Sequence, residues 1–235
     1  AAGARDKAMD SHIGAAGVQP GAIWINKTGR RFANEGTAEN IGDIGPLYGK
    51  QPDGIVWSVL DQANIDRLAE NGSEISIGEF VVFGRPLDRL RMELDQDVAD
   101  GVAFAANTPE ELAEKIGVSP ENFAATVAAY NEACAAGDDK EFFKQEKYLR
   151  PLSIPPFYAV ALATGTMGSA GGIRINGNMQ VVDKDYEPIP GLYAVGLDAT
   201  GLYGDSYNME VPGAANGFAH TSGRIAGRHF AAQQA

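Results

Sequence analysis

The order of motifs at the end of the chain constrains the fold more than any other feature. A short buried strand is predicted at residues 192–195, and Gly196 and Asp198 follow it at once. A glycine-rich stretch at 212–217 then leads into a helix predicted at 213–229. Backbone N–H groups in such a turn and at a helix N-terminus can approach the negative, hydrogen-bond-accepting edge of a ligand. This order therefore predicts a ligand-binding turn between the strand and the helix.

Size, charge and cysteine content limit the classes of function. The chain has 235 residues, which suffices for one large domain or two small ones. Its net charge of −12 disfavours nucleic acid or an anionic membrane surface as a partner, because both require a basic footprint. No apolar run approaches the roughly 20 residues of a membrane span. Cys134 is the single cysteine and no histidine–cysteine cluster has metal-ligand spacing, so we predict neither an internal disulfide nor a metal site.

The first half of the chain has the patterns of short strands and helices. We predict a β-hairpin at 22–33, because two apolar segments flank a turn that contains a glycine. A buried strand at 55–60 is predicted to lead into an amphipathic helix that starts near Gln62. A further strand is predicted at 80–83.

Two helices in the middle of the chain have strong start signals. Thr108 precedes a proline and two glutamates, which is the pattern of a capping box, and Ser119 likewise precedes Pro120. The second helix is predicted to end at Gly137. Its predicted apolar stripe consists of Phe123, Val127, Tyr130 and Cys134.

The charged segment 140–150 separates these helices from the C-terminal third. We predict that it is an unstructured connector, and we place a domain boundary within it. Beyond it, a strand is predicted to open at 155–158 and to run through Leu162, and a β-hairpin is predicted at 171–183 with residues 176–178 at its tip.

Two further motifs extend the pattern over nearly the whole chain. Residues 23–35 contain an apolar strand followed by N-K-x-G-x-R-F-x-N-E, and residues 102–158 end in Pro-Pro-Phe-Tyr. With the C-terminal motifs, this ordered set resembles the fumarate reductase and succinate dehydrogenase flavoprotein family, including its flavocytochrome c and ketosteroid dehydrogenase-like members. The resemblance implies an α+β cap domain plus the C-terminal segment of an α/β FAD-binding domain.

One part of the family pattern does not occur in the sequence. The family's FAD domain opens with a strand, G-x-G-x-x-G and a helix, whereas residues 165–171 have G-x-x-G-x-x-G before a strand. We interpret that stretch as a loop near the flavin ring rather than a pyrophosphate site. The chain is then predicted to be a fragment that lacks the N-terminal dinucleotide-binding motif. Its predicted segments are the end of the first FAD-domain segment at 1–21, the cap domain at 22–147 and the C-terminal FAD-domain segment at 148–235.

The resemblance also implies which residues bind FAD. Gly196 and Asp198 follow the strand, and the Asp198 carboxylate is expected to accept a hydrogen bond from a ribityl hydroxyl. Backbone N–H groups at the start of the last helix are expected to face the flavin N1 and O2 edge, which is negative in reduced flavin. The alternatives are an ordinary turn acid and a glycine-rich helix that merely packs tightly. The helix-start residues are Gly213, Ala214, Ala215 and Asn216.

Tyr158 and Tyr207 are the predicted catalytic residues. Tyr158 matches the family's Pro-Phe-Tyr-Ala tyrosine, which the resemblance implies helps to polarise the substrate carbonyl, since a phenol can donate a hydrogen bond to an enolate-like oxygen. Tyr207 lies in the loop before the last helix, where a proton donor or a substrate-stacking residue is expected. The alternatives are plain packing for Tyr158 and a surface turn for Tyr207.

Glu39 departs from the family pattern. The resemblance implies that fumarate reductases have a proton-donating arginine at this position. The family's substrate-binding histidine and its late-loop arginine are also missing from the matching positions. A dicarboxylate would therefore have few cationic partners, and the sequence disfavours fumarate as the substrate.

The resemblance thus implies part of an FAD-dependent oxidoreductase. Its reaction would transfer a hydride between flavin and an activated C=C or C–C bond of an enone-like or other unsaturated compound. The alternative is a non-catalytic ligand- or partner-binding module derived from the same fold. Expected partners are a small-molecule substrate together with self-association or an external electron-transfer partner. The first residues lack the apolar segment of a signal peptide, and localisation stays open between the cytoplasm and export.

Overall fold

The computed structural model describes residues 11–76, 81–164, 171–200, 203, 211 and 213–234, without the side chains of Ile41 and Thr200. The chain divides into two compact units, Ala1–Thr164 and Gly165–Ala235. Tyr207 and the predicted loop at 165–170 lie outside the described residues. The predicted segment boundaries after residues 21 and 147 stay predictions.

The first unit combines helices with an antiparallel sheet. The strands predicted at 55–60 and 155–162 and the helix predicted from Gln62 are confirmed, although the second strand begins only at Phe157. Its α-helices are α1 (His12–Gly17), α2 (Ile41–Gly49), α3 (Gln62–Asn71), α4 (Leu90–Ala99), α5 (Pro109–Ile116) and α6 (Pro120–Ala136). Its strands are β1 (Ile23–Asn26), β2 (Val56–Asp61), β3 (Ala103–Ala106) and β4 (Phe157–Leu162). Short 3₁₀-helices occupy Glu35–Glu39, Pro52–Gly54 and Glu146–Tyr148.

Strand β4 lies inside this sheet although it comes last in the sequence. The strand order is β1-β2-β4-β3, and each neighbouring pair is antiparallel. Tyr158 on β4 is opposite Leu60 on one side and Ala105 on the other. The backbone around Tyr158 is therefore held by hydrogen-bonded strands on both sides.

Both faces of the sheet are buried. Trp24, Leu60 and Tyr158 belong to one hydrophobic cluster, whereas Ile23 and Val59 belong to another. Successive side chains of a strand point to opposite faces, so neighbouring residues of β1 and β2 enter different cores. Burial on two faces explains why these strands are continuous apolar runs rather than alternating polar and apolar residues.

Two strand predictions in this unit are wrong in detail. The hairpin predicted at 22–33 is reduced to a single bridge between Ile25 and Arg31, and β1 pairs with β2 instead. The reason is that the Arg31 side chain turns inward to buried carboxylates rather than continuing a strand. Of the strand predicted at 80–83, Val81 forms one bridge and a turn begins two residues later, while the first residue lies outside the described part.

The helix start signals are confirmed by capping hydrogen bonds. The Thr108 hydroxyl accepts from the backbone N–H of Glu111 at 3.2 Å, and the Ser119 hydroxyl accepts from that of Asn122 at 3.3 Å. Each bond satisfies an N–H group that has no partner within its own helix. Helix α6 ends as predicted at Gly137, whose φ of 66° lies in the left-handed region that favours glycine.

A buried ion cluster joins the beginning of the first unit to its end. Arg31 forms a fork with Glu35, with Nε at 2.9 Å from Oε1 and Nη2 at 2.7 Å from Oε2. The same Nη2 donates to Asp139 Oδ2 at 2.9 Å. Lys144 Nζ lies 3.3 Å from Glu35 Oε2 and donates to the hydroxyl of Tyr130 at 3.0 Å. We refer to Arg31, Glu35, Asp139 and Lys144 as the buried ion cluster.

The charges of this cluster balance in the folded state. Burial acts to raise the pKa of Glu35, but Lys144 and Arg31 outweigh it and hold that pKa below its usual value. Burial likewise opposes ionisation of Asp139, and Arg31 keeps its pKa lowered. Burial and the neighbouring Arg31 lower the pKa of Lys144, and Glu35 only partly offsets them. The Lys144 ammonium therefore depends on its carboxylate partner to stay charged.

The segment 140–150 is consequently not an unstructured connector, and that prediction is wrong. Lys144 is buried, and its Nζ also donates to the carbonyl oxygen of Ala22 at 2.8 Å. The 3₁₀-helix Glu146–Tyr148 follows within the same segment. A run of charges is typical of solvated chain, but here the partners of Lys144 are far away in sequence. No local pattern indicates such a pairing.

The second unit consists of short strands and one long helix within its described residues. The helix predicted at 213–229 is confirmed. Its elements are β5 (Ile173–Arg174), β6 (Gln180–Val182), β7 (Pro188–Tyr193), a 3₁₀-helix at Gly196–Asp198, β8 (Ala199–Thr200) and α7 (Ala214–Gln233). Strands β5 and β8 are parallel, and β6 and β7 are antiparallel.

Two predictions for the second unit need correction. The hairpin predicted at 171–183 is reduced to a bridge between Ile175 and Val181, because β6 pairs with β7. Of the strand predicted as buried at 192–195, only Leu192 and Tyr193 belong to β7, and the Leu192 side chain is half-exposed. Among the described residues β7 pairs only with β6, so its other edge has no strand partner there.

In the parts of the chain that the structure describes, no helix combines the length and apolar character that a membrane span needs. Over those same residues, no group of three or more histidine, cysteine, aspartate or glutamate side chains is placed to hold a metal ion.

Candidate functional site

The turn after β7 borders a cavity in the second unit. Gly196 has a φ of 62°, and this left-handed conformation starts the 3₁₀-helix that ends at Asp198. The Asp198 side chain is exposed. Asp198, Leu197 and Tyr193 line a cavity of about 450 Å³ together with Gly172. The turn thus presents an acceptor-only carboxylate to a space large enough for part of a ligand.

A serine in the last helix holds this turn in place. The Gly196 N–H donates to the Ser222 hydroxyl at 3.0 Å, and that hydroxyl donates to the Phe218 carbonyl oxygen at 2.6 Å. Ser222 is fully buried. The sequence analysis missed Ser222, and the available signal was a serine inside a helix rich in small residues, where a hydroxyl often bonds the carbonyl four residues earlier.

We predict that Ser222→Ala loosens the turn. The Gly196 N–H would lose its acceptor while buried, so the unfolding free energy is expected to fall by about 1–2 kcal/mol. Native-state hydrogen exchange measured by NMR should show faster exchange at the Gly196 amide. Thr221→Ala, at the exposed neighbouring position, is the control and should leave that amide unchanged. Equal exchange at Gly196 in the two variants would contradict this role for Ser222.

The N-cap residue of α7 makes no side-chain capping hydrogen bond. Gly213 is the N-cap residue with a φ of 78°, and it has no side chain that could accept from the first turn. Ala214 and Ala215 are half-buried, while Asn216 is exposed. The Ala214 N–H donates to the Val211 carbonyl oxygen at 3.2 Å. A helix N-terminus without an acidic or hydroxyl cap keeps a partial positive charge that an anionic ligand edge can satisfy.

Gly172 allows two backbone segments to approach closely. A Cβ atom at this position would lie 2.6 Å from the Asp198 carbonyl oxygen and 2.9 Å from the Ala199 carbonyl carbon. Ile173, the next residue, is paired with Ala199 in the β5–β8 ladder. The glycine is therefore needed where β5 meets the turn that includes Asp198. Sequence reasoning identified the glycine pair only as part of a hairpin.

The predicted cofactor-binding residues thus belong to the second unit, whereas Tyr158 belongs to the first. Tyr158 is 8% exposed and donates its hydroxyl hydrogen to Gln62 Oε1 at 2.7 Å. Burial raises the pKa of Tyr158, and Asp95 and Asp66 add to the increase. The predictions that assign roles to Tyr158, Asp198 and the α7 residues stay predictions.

Glu39 is held by hydrogen bonds at its position in the first unit. Its carboxylate accepts from the Tyr148 hydroxyl and, at 2.9 Å, from Lys147 Nζ. These hydrogen bonds lower the pKa of Glu39. The position therefore carries a negative charge with its own partners rather than a free cation.

A cavity, an exposed carboxylate in a tight turn and a helix N-terminus occur together in the second unit, a combination that is typical of ligand-binding domains. The FAD binding domain model matches residues 7–213 of this chain. Vinyl phenol reductase of Lactiplantibacillus plantarum is 38% identical over 92% of this chain and 44% of its own length. The 3-oxosteroid 1-dehydrogenase of Mycolicibacterium smegmatis is 30% identical over 92% of this chain and 39% of its own length.

A solved structure agrees with these sequence relatives. The 3-ketosteroid delta1-dehydrogenase of Sterolibacterium denitrificans, in complex with 1,4-androstadiene-3,17-dione, superimposes with a TM-score of 0.70 at 25% identity, covering 93% of this chain and 40% of that one. The chain belongs to the FAD binding domain family of flavin-dependent oxidoreductases. It spans less than half the length of the curated relatives described above. The predicted family and its cofactor are confirmed.

The residues of the second unit fit FAD in their chemistry. The exposed Asp198 carboxylate can accept hydrogen bonds from hydroxyl groups, which the ribityl chain of FAD supplies. The partial positive charge at the N-terminus of α7, which begins at a glycine N-cap, suits the electron-rich edge of a flavin ring. The cavity of about 450 Å³ beside Asp198 offers room for part of the cofactor. These features concern one part of the cofactor, and they do not include a pyrophosphate-binding loop among the described residues.

Proposed function

We propose that this chain supplies the cap and the C-terminal flavin-contacting segment of an FAD-dependent oxidoreductase that acts on activated carbon–carbon double bonds. Bound FAD supplies the hydride-transfer chemistry. The observation that carries the proposal is the exposed Asp198 carboxylate at the cavity beside the turn that Ser222 anchors to α7. The share of the relatives' length that the chain covers supports the view that the catalytic protein is longer.

Each predicted residue has a role in this proposal. Asp198 accepts hydrogen bonds from ribityl hydroxyls, and Gly196 sets its turn. The N–H groups at the start of α7, including those of Ala215 and Asn216, face the flavin N1 and O2 edge. Tyr158 contacts the substrate from the cap, and Tyr207 contributes a proton or a stacking surface.

The substrate is an unsaturated compound other than fumarate. Relatives carry the names vinyl phenol reductase, NADH:acrylate oxidoreductase and 3-oxosteroid 1-dehydrogenase, and all of these names refer to compounds that contain or gain a carbon–carbon double bond. The Glu39 carboxylate, with Lys147 and Tyr148 as its own partners, offers no cation to a dicarboxylate. A small neutral enone or styrene-like compound suits such a site better. An external electron donor completes the reaction when it runs as a reduction.

The absorbance spectrum of the full-length gene product that contains this chain tests the proposal. We expect a flavin band near ~450 nm, as is typical of this cofactor class. Asp198→Asn removes the charge that strengthens the ribityl hydrogen bonds and is expected to weaken FAD binding about tenfold. Asp185→Asn is the control, because Asp185 is exposed and pairs with its neighbour Lys184.

Two results would contradict the proposal in different ways. A full-length product that holds no flavin, even with FAD added, would support the non-catalytic binding module instead. Equal FAD affinity in the Asp198→Asn and Asp185→Asn proteins would remove Asp198 from the cofactor site while leaving the class of protein unchanged.

A further inference from the structure

The hydroxyl of Tyr158 begins a chain of hydrogen bonds that ends at the protein surface. Tyr158 donates to Gln62 Oε1 at 2.7 Å, and Gln62 Nε2 donates to Asp66 Oδ1 at 2.9 Å. Arg91 Nε donates to the same Asp66 oxygen at 2.8 Å. Tyr158 of β4 therefore donates to Gln62 of α3, and Gln62 donates to Asp66 one helical turn further along. Arg91 of α4 donates to Asp66 from the other end of this chain of hydrogen bonds.

Asp66 determines the direction of this chain. An ionised carboxylate only accepts hydrogen bonds, so the Gln62 side chain must turn its NH₂ group toward Asp66. The carbonyl oxygen of the same amide then faces Tyr158. With the amide reversed, two oxygens would lie in contact at Asp66, so the network itself assigns the orientation of Gln62. Tyr158 therefore has to donate its single hydroxyl hydrogen to Gln62.

Helix geometry and Arg91 hold Asp66 in place. Gln62, Asp66 and Glu70 are spaced by four residues on α3 and lie on one face of that helix. Arg91 bridges Asp66 and Glu70, with its Nη2 2.7 Å from a Glu70 oxygen. The Asp66 carboxylate is thus kept beside Gln62 by a cation from a neighbouring helix. These contacts hold the Asp66 carboxylate in the position from which it orients the side-chain amide of Gln62.

Because the Tyr158 hydroxyl donates to Gln62, it can serve any further partner only as a hydrogen-bond acceptor. A phenol has one hydrogen and two lone pairs, and the hydrogen of Tyr158 is in use. Its hydrogen bond to Gln62 is only partly buried, so the oxygen is not sealed inside the core. A carbonyl group that reaches Tyr158 finds no donor unless the bond to Gln62 breaks. A hydroxyl group finds an acceptor already in position.

We propose that Asp66 and Gln62 are positioning residues that set Tyr158 as a hydrogen-bond acceptor, so that the substrate presents a hydroxyl group, such as a phenol, at this point. The inference rests on the proposed function in one respect, which is that Tyr158 contacts the substrate. It deepens that function by naming a group that the substrate carries. It also assigns Tyr158 a recognition role rather than donation to a carbonyl.

The first test uses this chain itself. Asp66→Asn keeps the shape of the side chain but offers an NH₂ group, which allows the Gln62 amide to reverse and donate to the Tyr158 oxygen. Such donation stabilises the phenolate, so the pKa of Tyr158 should fall, measured by NMR titration of its ¹³Cζ signal. Asp95→Asn is the matched control, because Asp95 also raises the pKa of Tyr158 but has no hydrogen bond to Gln62 among the described contacts. A larger fall for Asp66→Asn supports the proposal, and equal falls overturn it.

The second test uses the full-length flavoprotein and a pair of ligands. The ligands are 4-vinylphenol, which has a hydroxyl donor, and its methyl ether, which has none. The unmodified protein should prefer the phenol, and Asp66→Asn should reduce that preference by about tenfold, the effect of one hydrogen bond. The Asp95→Asn protein should keep the preference. An unchanged preference in Asp66→Asn would overturn recognition of a hydroxyl by Tyr158.

The two tests separate this inference from the proposed function. A full-length product without flavin would contradict the proposed function, and the NMR titration would still decide whether Asp66 sets the direction of the Tyr158 hydroxyl. A flavoprotein in which the titration shows equal falls would retain its function and lose this inference.

Discussion

Glu35→Gln is expected to lower the unfolding free energy by about 3–5 kcal/mol, the range found when one partner of a buried ion pair is removed. Glu35 is fully buried, and its oxygens accept from both arms of the Arg31 fork and from the backbone N–H of Trp24. A glutamine there would turn an NH₂ group toward a donor and leave Lys144 without its carboxylate. Urea unfolding followed by tryptophan fluorescence measures the loss.

Glu39→Gln is the matched control for this prediction. Like Glu35, Glu39 accepts hydrogen bonds from more than one group, here Lys147 and Tyr148, but its side chain is 47% exposed. Solvent screens such a pair, so the expected change is below about 1 kcal/mol. Comparable losses of unfolding free energy in the two variants would show that the buried ion cluster stabilises the fold no more than an exposed ion pair does.

The pH dependence of Glu35→Gln follows from the pKa shifts. The folded-state pKa values of Glu35 and Asp139 are lowered, so their contribution to stability is present above the usual carboxyl range and is lost as pH falls. The variant lacks one of these groups, and its stability should fall less steeply in acid. Without Glu35 the pKa of Lys144 should drop further, so the variant should regain stability as pH rises and Lys144 loses its proton.

Gly172→Ala is expected to disrupt the FAD site and to destabilise the second unit by about 3 kcal/mol, the upper part of the usual range for overpacking. The added Cβ would lie 2.6 Å from the Asp198 carbonyl oxygen and 2.8 Å from its carbonyl carbon. Backbone atoms cannot rotate away as a side chain can, so β5 would have to separate from β8. Hydrogen exchange in the β5–β8 ladder and FAD retention in the full-length protein measure the two effects.

Gly171→Ala provides the control at the adjacent residue. A Cβ there would meet no atom within 4 Å, and we expect a change within about 0.5 kcal/mol. If the two alanine variants show the same hydrogen-exchange protection in the β5–β8 ladder and the same FAD retention, the close backbone approach at Gly172 is not required for the site.

Local signals in the sequence predicted helices α3, α5, α6 and α7, whereas α2 and α4 were not predicted. Thr108 and Ser119 begin α5 and α6 because a hydroxyl at the N-cap has one dominant use, which is to accept from the first turn. Strands β1, β2 and β4 followed from apolar runs, whereas β3 was not predicted. Gly196 and the start of α7 were located because a glycine directly after an apolar strand and a stretch of small residues before a helix are both visible in the sequence.

Long-range pairings could not be predicted in the same way. Lys144 belongs to a charged run, and only the fold shows that its partner is Glu35. Ser222 accepts a hydrogen bond from the Gly196 N–H only because α7 packs against the turn at Gly196. The direction of the Tyr158 hydroxyl depends on Asp66, which no local pattern links to a tyrosine on a later strand. Such contacts depend on which elements become neighbours, and this information is spread over the whole sequence.

The place of β4 inside the sheet has a consequence for how the protein is made. Strands β2 and β3 each pair with β4 and not with each other, so both keep an open edge until residues 157–162 have left the ribosome. Pairing between distant segments is slow, and open strand edges can pair with other chains. During translation, most of the first unit is therefore synthesised before its sheet can close, and this interval is when the nascent chain most needs protection from aggregation.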